Sequence, residues 1–309
     1  WSPKSCSRAT TWNTERGGAN MKNEKKAYRA KINWHKELRL LPGYIIVLLW
    51  LAFTVVMLGW IIGASLSTPR DIYQGQIFQF STGLHWENYA TAWNVQNVSV
   101  FFGNSLLYSV ISCVGVLAIS APAAYVLSRW KFTGGKALRI GLVIAMSVPV
   151  IMVIMPIYSL SVQWGIKGRV LLLILYILLR VPYTTIYLLD FFSTLSRAYE
   201  EAAYLDGCSA PKTFLKIMLP LVQPAIVTVT IFNFMSVWNE FFMALIFTTS
   251  ESMAPVGVGL LNIINAMKYT GQWGGMFAAV IIVFLPTFLL YIFLSEKIIS
   301  GVTGGGVKG

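Results

Sequence analysis

Glu200-Glu201-Ala202-Ala203-Tyr204-Leu205-Asp206-Gly207, then nine residues, then Ile217-Met218-Leu219-Pro220, forms a polar island in an apolar chain. Long greasy segments flank it, so it is expected at a membrane surface. Leu195, Ala198, Tyr199, Ala202 and Leu205 recur at helical spacing and predict one apolar face, with Arg197, Glu200 and Glu201 largely off it. The two alanines are small enough for another surface to approach the backbone. Gly207 takes positive φ without a Cβ penalty and is expected to end this helix. Ser209 is placed to cap a second short helix with Pro211 in its first turn. Phe214, Ile217, Met218 and Leu221 supply that helix's apolar stripe, and Pro220 and Pro224 stop it. The pattern predicts helix, turn, helix along the membrane surface, as a docking site for a soluble partner. An ordinary amphipathic surface helix competes with this reading, but such helices carry basic polar faces and this one is acidic.

The rest of the chain is suited to lipid. Of 309 residues, 56% are hydrophobic and only 12% charged, with mean hydropathy +0.64; soluble domains have about 25% charged residues. The net charge of +12 raises nucleic acid as a partner, but ten of the 24 Lys and Arg precede residue 44. No basic residues recur on an aromatic-studded surface, so no nucleic-acid partner is expected. Cys6, Cys113 and Cys208 lack disulfide or zinc spacing, and His35 and His85 fit no metal motif. Gly134-Gly135-Lys136-Ala137 lacks the first glycine and the Ser or Thr of a phosphate-binding loop. No nucleophile elbow or paired catalytic carboxylates stand out. The chain is therefore not expected to be an enzyme, and no catalytic residue, metal ligand or bound cofactor is assigned.

Six apolar runs reach the roughly 20 residues that a bilayer crossing needs. They are Tyr44–Leu66, Phe101–Leu127, Ile140–Val162, Val170–Leu189, Gln223–Phe247 and Gly275–Leu294. The first is too long for a signal peptide, and Ala64-Ser65-Leu66-Ser67 is a poor cleavage site. With alternating sides, nineteen Lys and Arg fall on the side of the amino-terminal arm and four on the other. Both termini are thus expected in the cytoplasm of a bacterial cell, with the chain multi-pass in the inner or plasma membrane. The predicted organisation is a cytoplasmic basic arm over 1–43 (1–30 disordered), a first transmembrane helix over 44–66, and an external loop over 67–100. A five-helix core follows over 101–294, containing the polar loop 190–222, then a cytoplasmic Gly-rich tail over 295–309. The external loop carries Tyr73, Phe78, Phe80, Trp86, Tyr89 and Trp93, which either pack at the interface or meet an external partner. Met21-Lys22-Asn23-Glu24-Lys25 reads as a translation start, with Glu15-Arg16-Gly17-Gly18 as the translated image of a ribosome-binding region.

The spacing Glu201-Ala202-Ala203, Gly207, Ile217, Leu219-Pro220 resembles the signature of permease subunits of binding-protein-dependent ABC importers. Trp238-Asn239-Glu240-Phe241 is similar to a segment of the carbohydrate-importing branch. The tail Gly301–Gly309 resembles the end of the smaller permease of maltose-type importers. The likeness covers about Leu84 to Gly309. It implies an all-α membrane protein of six transmembrane helices with a cytoplasmic coupling helix between spans four and five. It also implies a second homologous permease, two copies of an ATPase subunit that bind the ATP and Mg, an extracytoplasmic sugar-binding protein, and a carbohydrate cargo. Glu200, Glu201, Ala202, Ala203, Leu205, Asp206, Gly207, Ile217, Leu219 and Pro220 would then couple to the ATPase. Gly306, Lys308 and Gly309 of the tail would reach into the ATPase dimer, or form a free end.

Polar groups inside a span must face protein or water. Asn233, Ser236 and Glu240 are spaced to share one face of the fifth run, with Asn239 beside it. Together with Trp238 and with Tyr183 of the fourth run, these are the candidates for the substrate pathway. Helix–helix glue is the equal alternative for Asn233 and Ser236, packing for Trp238, and a structural pair for Glu240. Arg180 must face an interior or snorkel, and Glu240 is a possible partner. Prolines 122, 149, 156, 182 and 286 interrupt the runs. An importer for a non-sugar solute is the nearest rival. A secondary transporter would need inverted repeats and more membrane carboxylates than this sequence offers.

Overall fold

The structure, a computed structural model, describes residues 34–80 and 82–304. The arm over 1–30 and the tail residues Gly306, Lys308 and Gly309 lie outside the described residues. The described chain is helical, with no strand. It divides into two units, Trp1–Leu58 and Gly59–Gly309. Helix α1 is Trp34–Ser65, tolerating Pro42, and starts ten residues before the apolar run at Tyr44; the basic arm therefore ends in helix. The segment after it carries two short helices, Pro69–Tyr73 and Glu87–Ala90, and a π-turn at Thr91–Val95.

The second unit is built around α2, Val98–Arg129. Then come α3 (Gly135–Ser147), α4 (Val150–Trp164), α5 (Gly168–Leu178), α6 (Val181–Thr194), α7 (Ala198–Leu205) and α8 (Ala210–Thr213). After a π-turn at Phe214–Met218 the chain continues as α9 (Gln223–Trp238), α10 (Phe242–Phe247), α11 (Val256–Thr270) and α12 (Trp273–Gly304). Helix α2 packs most extensively on α6 and α9, and also meets α5 and α11; α12 packs on α9 and α11.

Four helical stretches among the described residues are long and apolar enough to cross a membrane: Arg39–Ser65, Val98–Arg129, Gly168–Thr194 and Trp273–Phe293. The count reaches six only if each of two bent pairs is one span. The predicted run Ile140–Val162 is one of these pairs: α3 and α4 meet at 100°. Val148 and Pro149 are both extended there, with ψ of 118° and 126°. Proline removes an N–H and disfavours helical backbone in the residue before it, so the helix stops. The other pair joins Ala210–Leu221 to α9 at 77°.

Two further expectations need correction. The fifth run does not continue to Phe247, because α9 ends at Trp238 and α10 begins at Phe242. Between that helix end and the sixth run lies the 15-residue helix α11, which the apolar runs did not include. Asn104, Ser105 and Tyr108 of α2 hold the entry to α11. Asn104 Nδ2 donates to the carbonyls of Ser252 (2.9 Å) and Ala254 (3.0 Å), Ser105 Oγ accepts from the Val256 amide (2.9 Å), and Tyr108 donates to the Met253 carbonyl (2.9 Å). Likewise, the sixth helix runs on past Leu294 to Gly304, so the first part of the predicted tail is helical.

Candidate functional site

The polar island sits against the Arg129 end of α2. Helix α7 ends as the sequence predicts: Gly207 has φ +74°, its amide donates to Tyr204 O (3.0 Å), and the Cys208 amide donates to Ala203 O (2.9 Å). This pair of bonds is the Schellman arrangement that satisfies the last carbonyls of a helix. Ser209 occupies the cap position of α8, but its side chain makes no capping bond, contrary to expectation.

The structure sets the orientation of α7, which the spacing left open. Its packed side is Ala203, 2% exposed, together with Glu200. Tyr199, Ala202 and Leu205, three residues of the predicted apolar face, point outward, with Leu205 85% exposed and the adjacent Tyr204 80%. Glu200 turns in because a cation waits for it: Arg129 Nε lies 3.2 Å from Glu200 Oε1, with the side chains 6% and 21% exposed. Arg129 also donates to the Leu195 carbonyl (3.0 Å), so one guanidinium ties α2 to both ends of the entry into α7. Glu201 and Asp206 remain exposed.

The second half of the island is a plug. Met218 is fully buried, and Phe214, Ile217 and Leu219 pack into a cluster with Ala124 and Tyr125 of α2, Leu188 and Phe192 of α6, and Val229 of α9. The Tyr125 ring lies 5.1 Å from Phe214 and 5.5 Å from Phe192. Such aromatic contacts add about 0.5–1.5 kcal/mol each beyond area burial. Leu221, assigned to the same stripe, and Pro220 are exposed. The island thus has a fixed base and a bare outer surface.

Gly207 gives a direct test of this turn. A Cβ there would meet nothing within 4 Å, so substitution is penalised by backbone conformation alone. Gly207→Val is expected to cost at least about 1–2 kcal/mol, and Gly207→Asn clearly less. Thermal unfolding of the purified protein checks this, and equal stability for the two variants would contradict it.

The pathway candidates separate into buried and exposed groups. Asn233 is 3% exposed and donates to Thr184 Oγ1 (3.0 Å), bonding α9 to α6. Trp238 is 2% exposed, stacks on Phe234 (5.8 Å, 11°) and donates to the Val283 carbonyl (3.2 Å); its faces are taken up by packing. Ser236 and Asn239 are exposed, and Ser236 accepts from Arg180 Nη2 (3.0 Å). Tyr183, 39% exposed, lies one turn along α6. Glu240 does not continue the α9 face. It accepts from Tyr176 (2.8 Å) and from the amides of Met243 (2.7 Å) and Ala244 (3.1 Å).

Asn239 and Glu240 thereby make the helix break. Asn239 Nδ2 donates to the Met235 carbonyl at the end of α9 (2.8 Å), and Glu240 satisfies the first free amides of α10. An amide residue followed by a carboxylate two residues before a helix start was the available sequence signal. Arg180 meets Glu240 only through Tyr176, over whose ring its guanidinium sits at 5.4 Å. Among the described residues no group of three His, Cys, Asp or Glu is arranged to hold a metal.

Among the described residues, long apolar helices and one anchored, outward-facing polar island fit a membrane component. Residues 116–295 match the binding-protein-dependent transport system inner membrane components, and the chain belongs to that family. A probable ABC transporter permease protein of Bacillus subtilis, YurM, is 33% identical over 86% of this chain and 88% of its own length. The diacetylchitobiose uptake system permease protein NgcG of Streptomyces coelicolor is 28% identical, covering 85% of this chain and 87% of its own. The fold matches a chain from a bacterial ABC transporter involved in the import of the acidic polysaccharide alginate. The TM-score is 0.71 at 21% identity, over 83% of this chain and 96% of that one.

Proposed function

We propose that the chain is a permease subunit of an ATP-driven importer for a carbohydrate, with an oligosaccharide as the preferred cargo. It forms the pathway with a second homologous permease. Two copies of an ATPase subunit bind ATP and Mg, and an extracytoplasmic sugar-binding protein delivers the substrate. The chain crosses the bacterial inner or plasma membrane with both termini in the cytoplasm. The observation that carries this reading is the bare outer face of α7, where Tyr199, Tyr204 and Leu205 are 47%, 80% and 85% exposed on an otherwise anchored helix. Large side chains left outside on a rigid base suit a protein partner.

Closure of the ATPases on ATP would carry α7 with them. The Arg129–Glu200 pair passes that displacement to α2, and the Phe214–Tyr125–Phe192 contacts pass it to α6. Rigid-body rotation of these helices would exchange the side on which the pathway opens. Ser236, Asn239, Tyr183 and Arg180 are assigned to the pathway wall, and Gly306, Lys308 and Gly309 to the ATPase interface. The chitin-disaccharide relative and the polysaccharide-importer fold favour sugar over other cargo.

Leu205→Glu places a charge at the centre of the docking face without touching the base. It is expected to strip the ATPase subunits from the purified assembly and to lower uptake of a labelled oligosaccharide at least about tenfold, as expected of a docking-site anchor. Wild-type uptake by this variant would refute the coupling role. Uptake of labelled amino acids instead of sugars would leave the joint intact and overturn the cargo.

A further inference from the structure

A second feature lies beside the joint and is not used by it. Where α2 hands over to α3, a notch of about 290 Å³ is lined by Leu127, Trp130, Lys131, Phe132, Lys136 and Arg139. We infer that this notch binds the headgroup of an anionic phospholipid in the cytoplasmic leaflet.

The charge is one-sided. Lys131, Lys136 and Arg139 line the notch with no acidic residue among its walls. Among the described residues none of the three takes part in an ion pair; the pairs there are His85–Glu87 and Arg129–Glu200. Arg139 Nη2 donates to the Leu127 carbonyl, which holds the guanidinium at the wall of the notch without cancelling its charge. Unneutralised cations converging on a concave wall attract a phosphate.

The surroundings choose the kind of phosphate. Trp130 and Phe132 are 47% and 46% exposed, at a point where aromatic rings suit the membrane–water boundary. From the notch, α3 leads away with Leu138, Ile140, Val143 and Ile144 about half exposed or more, at 50%, 51%, 51% and 58%. A soluble anion has no use for an apolar strip leaving its site. A phospholipid has acyl chains to lay along it. Basic side chains at the cytoplasmic membrane surface attract anionic lipid by about 1 kcal/mol each. This inference uses the cytoplasmic placement of the α2–α3 connection from the reading above, but not the transport activity itself.

Occupancy would be felt at the joint. The Trp130 ring stands edge-on to Tyr125 at 5.1 Å, and Tyr125 lies 5.1 Å from Phe214 of the plug. Arg129, the residue before Trp130, holds Glu200. A headgroup seated on Trp130 and Lys131 therefore steadies the α7 anchor, and coupling should depend on anionic lipid.

The test uses the purified full assembly in detergent, titrated with fluorescent phosphatidylglycerol or phosphatidylcholine. Phosphatidylglycerol is expected to bind the wild type more tightly than phosphatidylcholine. The double variant Lys131→Gln/Lys136→Gln should weaken phosphatidylglycerol at least about tenfold and leave phosphatidylcholine unchanged. The charge-preserving Lys131→Arg/Lys136→Arg should keep the affinity, which separates charge from damage to the fold. Equal affinity for the two lipids, wild-type affinity in the Gln variant, or equal loss in the Arg and Gln variants would overturn the inference. Displacement of the lipid by millimolar inorganic phosphate would also overturn it, in favour of a soluble anion.

Discussion

Arg129→Met should abolish coupled uptake while the protein still inserts in the membrane. Arg129 is nearly buried and does two things at once: it pairs with Glu200 and it donates to the Leu195 carbonyl. Methionine fills the same space without charge. The Glu200 carboxylate then loses its paired cation, in a hollow it shares with Tyr125, Trp130 and Arg197, and the Leu195 carbonyl loses its donor. Breaking a buried pair from one side costs about 3–5 kcal/mol. Glu200 still reaches some water, so about 2–3 kcal/mol is the expected loss at this site. That is enough to detach α7 from α2 locally, because α7 is only eight residues long and cannot hold itself together. Adding Glu200→Gln to Arg129→Met removes the stranded charge and should recover part of the stability but little of the uptake. Thermal unfolding and uptake on all four combinations give the coupling energy between the two residues. A single Arg129→Met variant with full uptake would show that the displacement travels another way.

Gly259→Leu should prevent the protein from accumulating in the membrane. Helix α11 lies so close to α2 at this point that a Cβ on Gly259 would sit 2.2 Å from Phe101 Cδ2. Phe101 is 1% exposed and walled in by Val98, Trp238 and Ala278, so the ring cannot swing clear. Overpacking of this kind costs about 1–3 kcal/mol and occasionally more. Lipid is as apolar as leucine, so inside a membrane a lost contact is not repaid by hiding the side chain elsewhere. Even Gly259→Ala is expected to destabilise by at least about 1 kcal/mol. Phe101→Ala in the Gly259→Leu background should restore yield by making room. Normal yield and unfolding temperature for Gly259→Leu alone would show that α11 does not press on α2.

Much of this was legible in the sequence, for reasons that can be located. The runs at Phe101–Leu127 and Gly275–Leu294 are long and uninterrupted by charge, so their helices emerged within a few residues at their starts. Gly207 announced its turn because only glycine takes that conformation freely. Periodicity gave α7 an apolar face but could not say whether that face was packed or bare; an arginine 71 positions away decided it. The prolines looked alike in sequence, yet Pro122, Pro156 and Pro286 are absorbed inside helices while Pro149 ends one. The difference lies in whether neighbouring helices keep the flanking backbone helical, which is a tertiary matter. Helix α11 was missed because Gly257, Gly259, Asn262, Asn265 and Lys268 dilute its hydropathy. Its glycines are there for close contact with other elements. Among the pathway candidates, spacing put Asn233 and Ser236 on one helix but could not reveal that one bonds α6 from within and the other meets Arg180 at the surface.

The crook between α3 and α4 has a consequence for the cell's housekeeping. Arms of 13 and 15 residues are about 20 and 22 Å long, short of the roughly 30 Å of hydrocarbon they would have to traverse. At the crook the chain abandons helical hydrogen bonding, and just beyond it Ile151, Met152 and Met155 are 70%, 73% and 74% exposed. Backbone groups bared to acyl chains are tolerated only under the cover of other protein. A copy synthesised in excess would keep that crook uncovered and so advertise itself to membrane quality control. Under the assembly proposed above, a copy made without its partner permease would leave that crook bare and be short-lived.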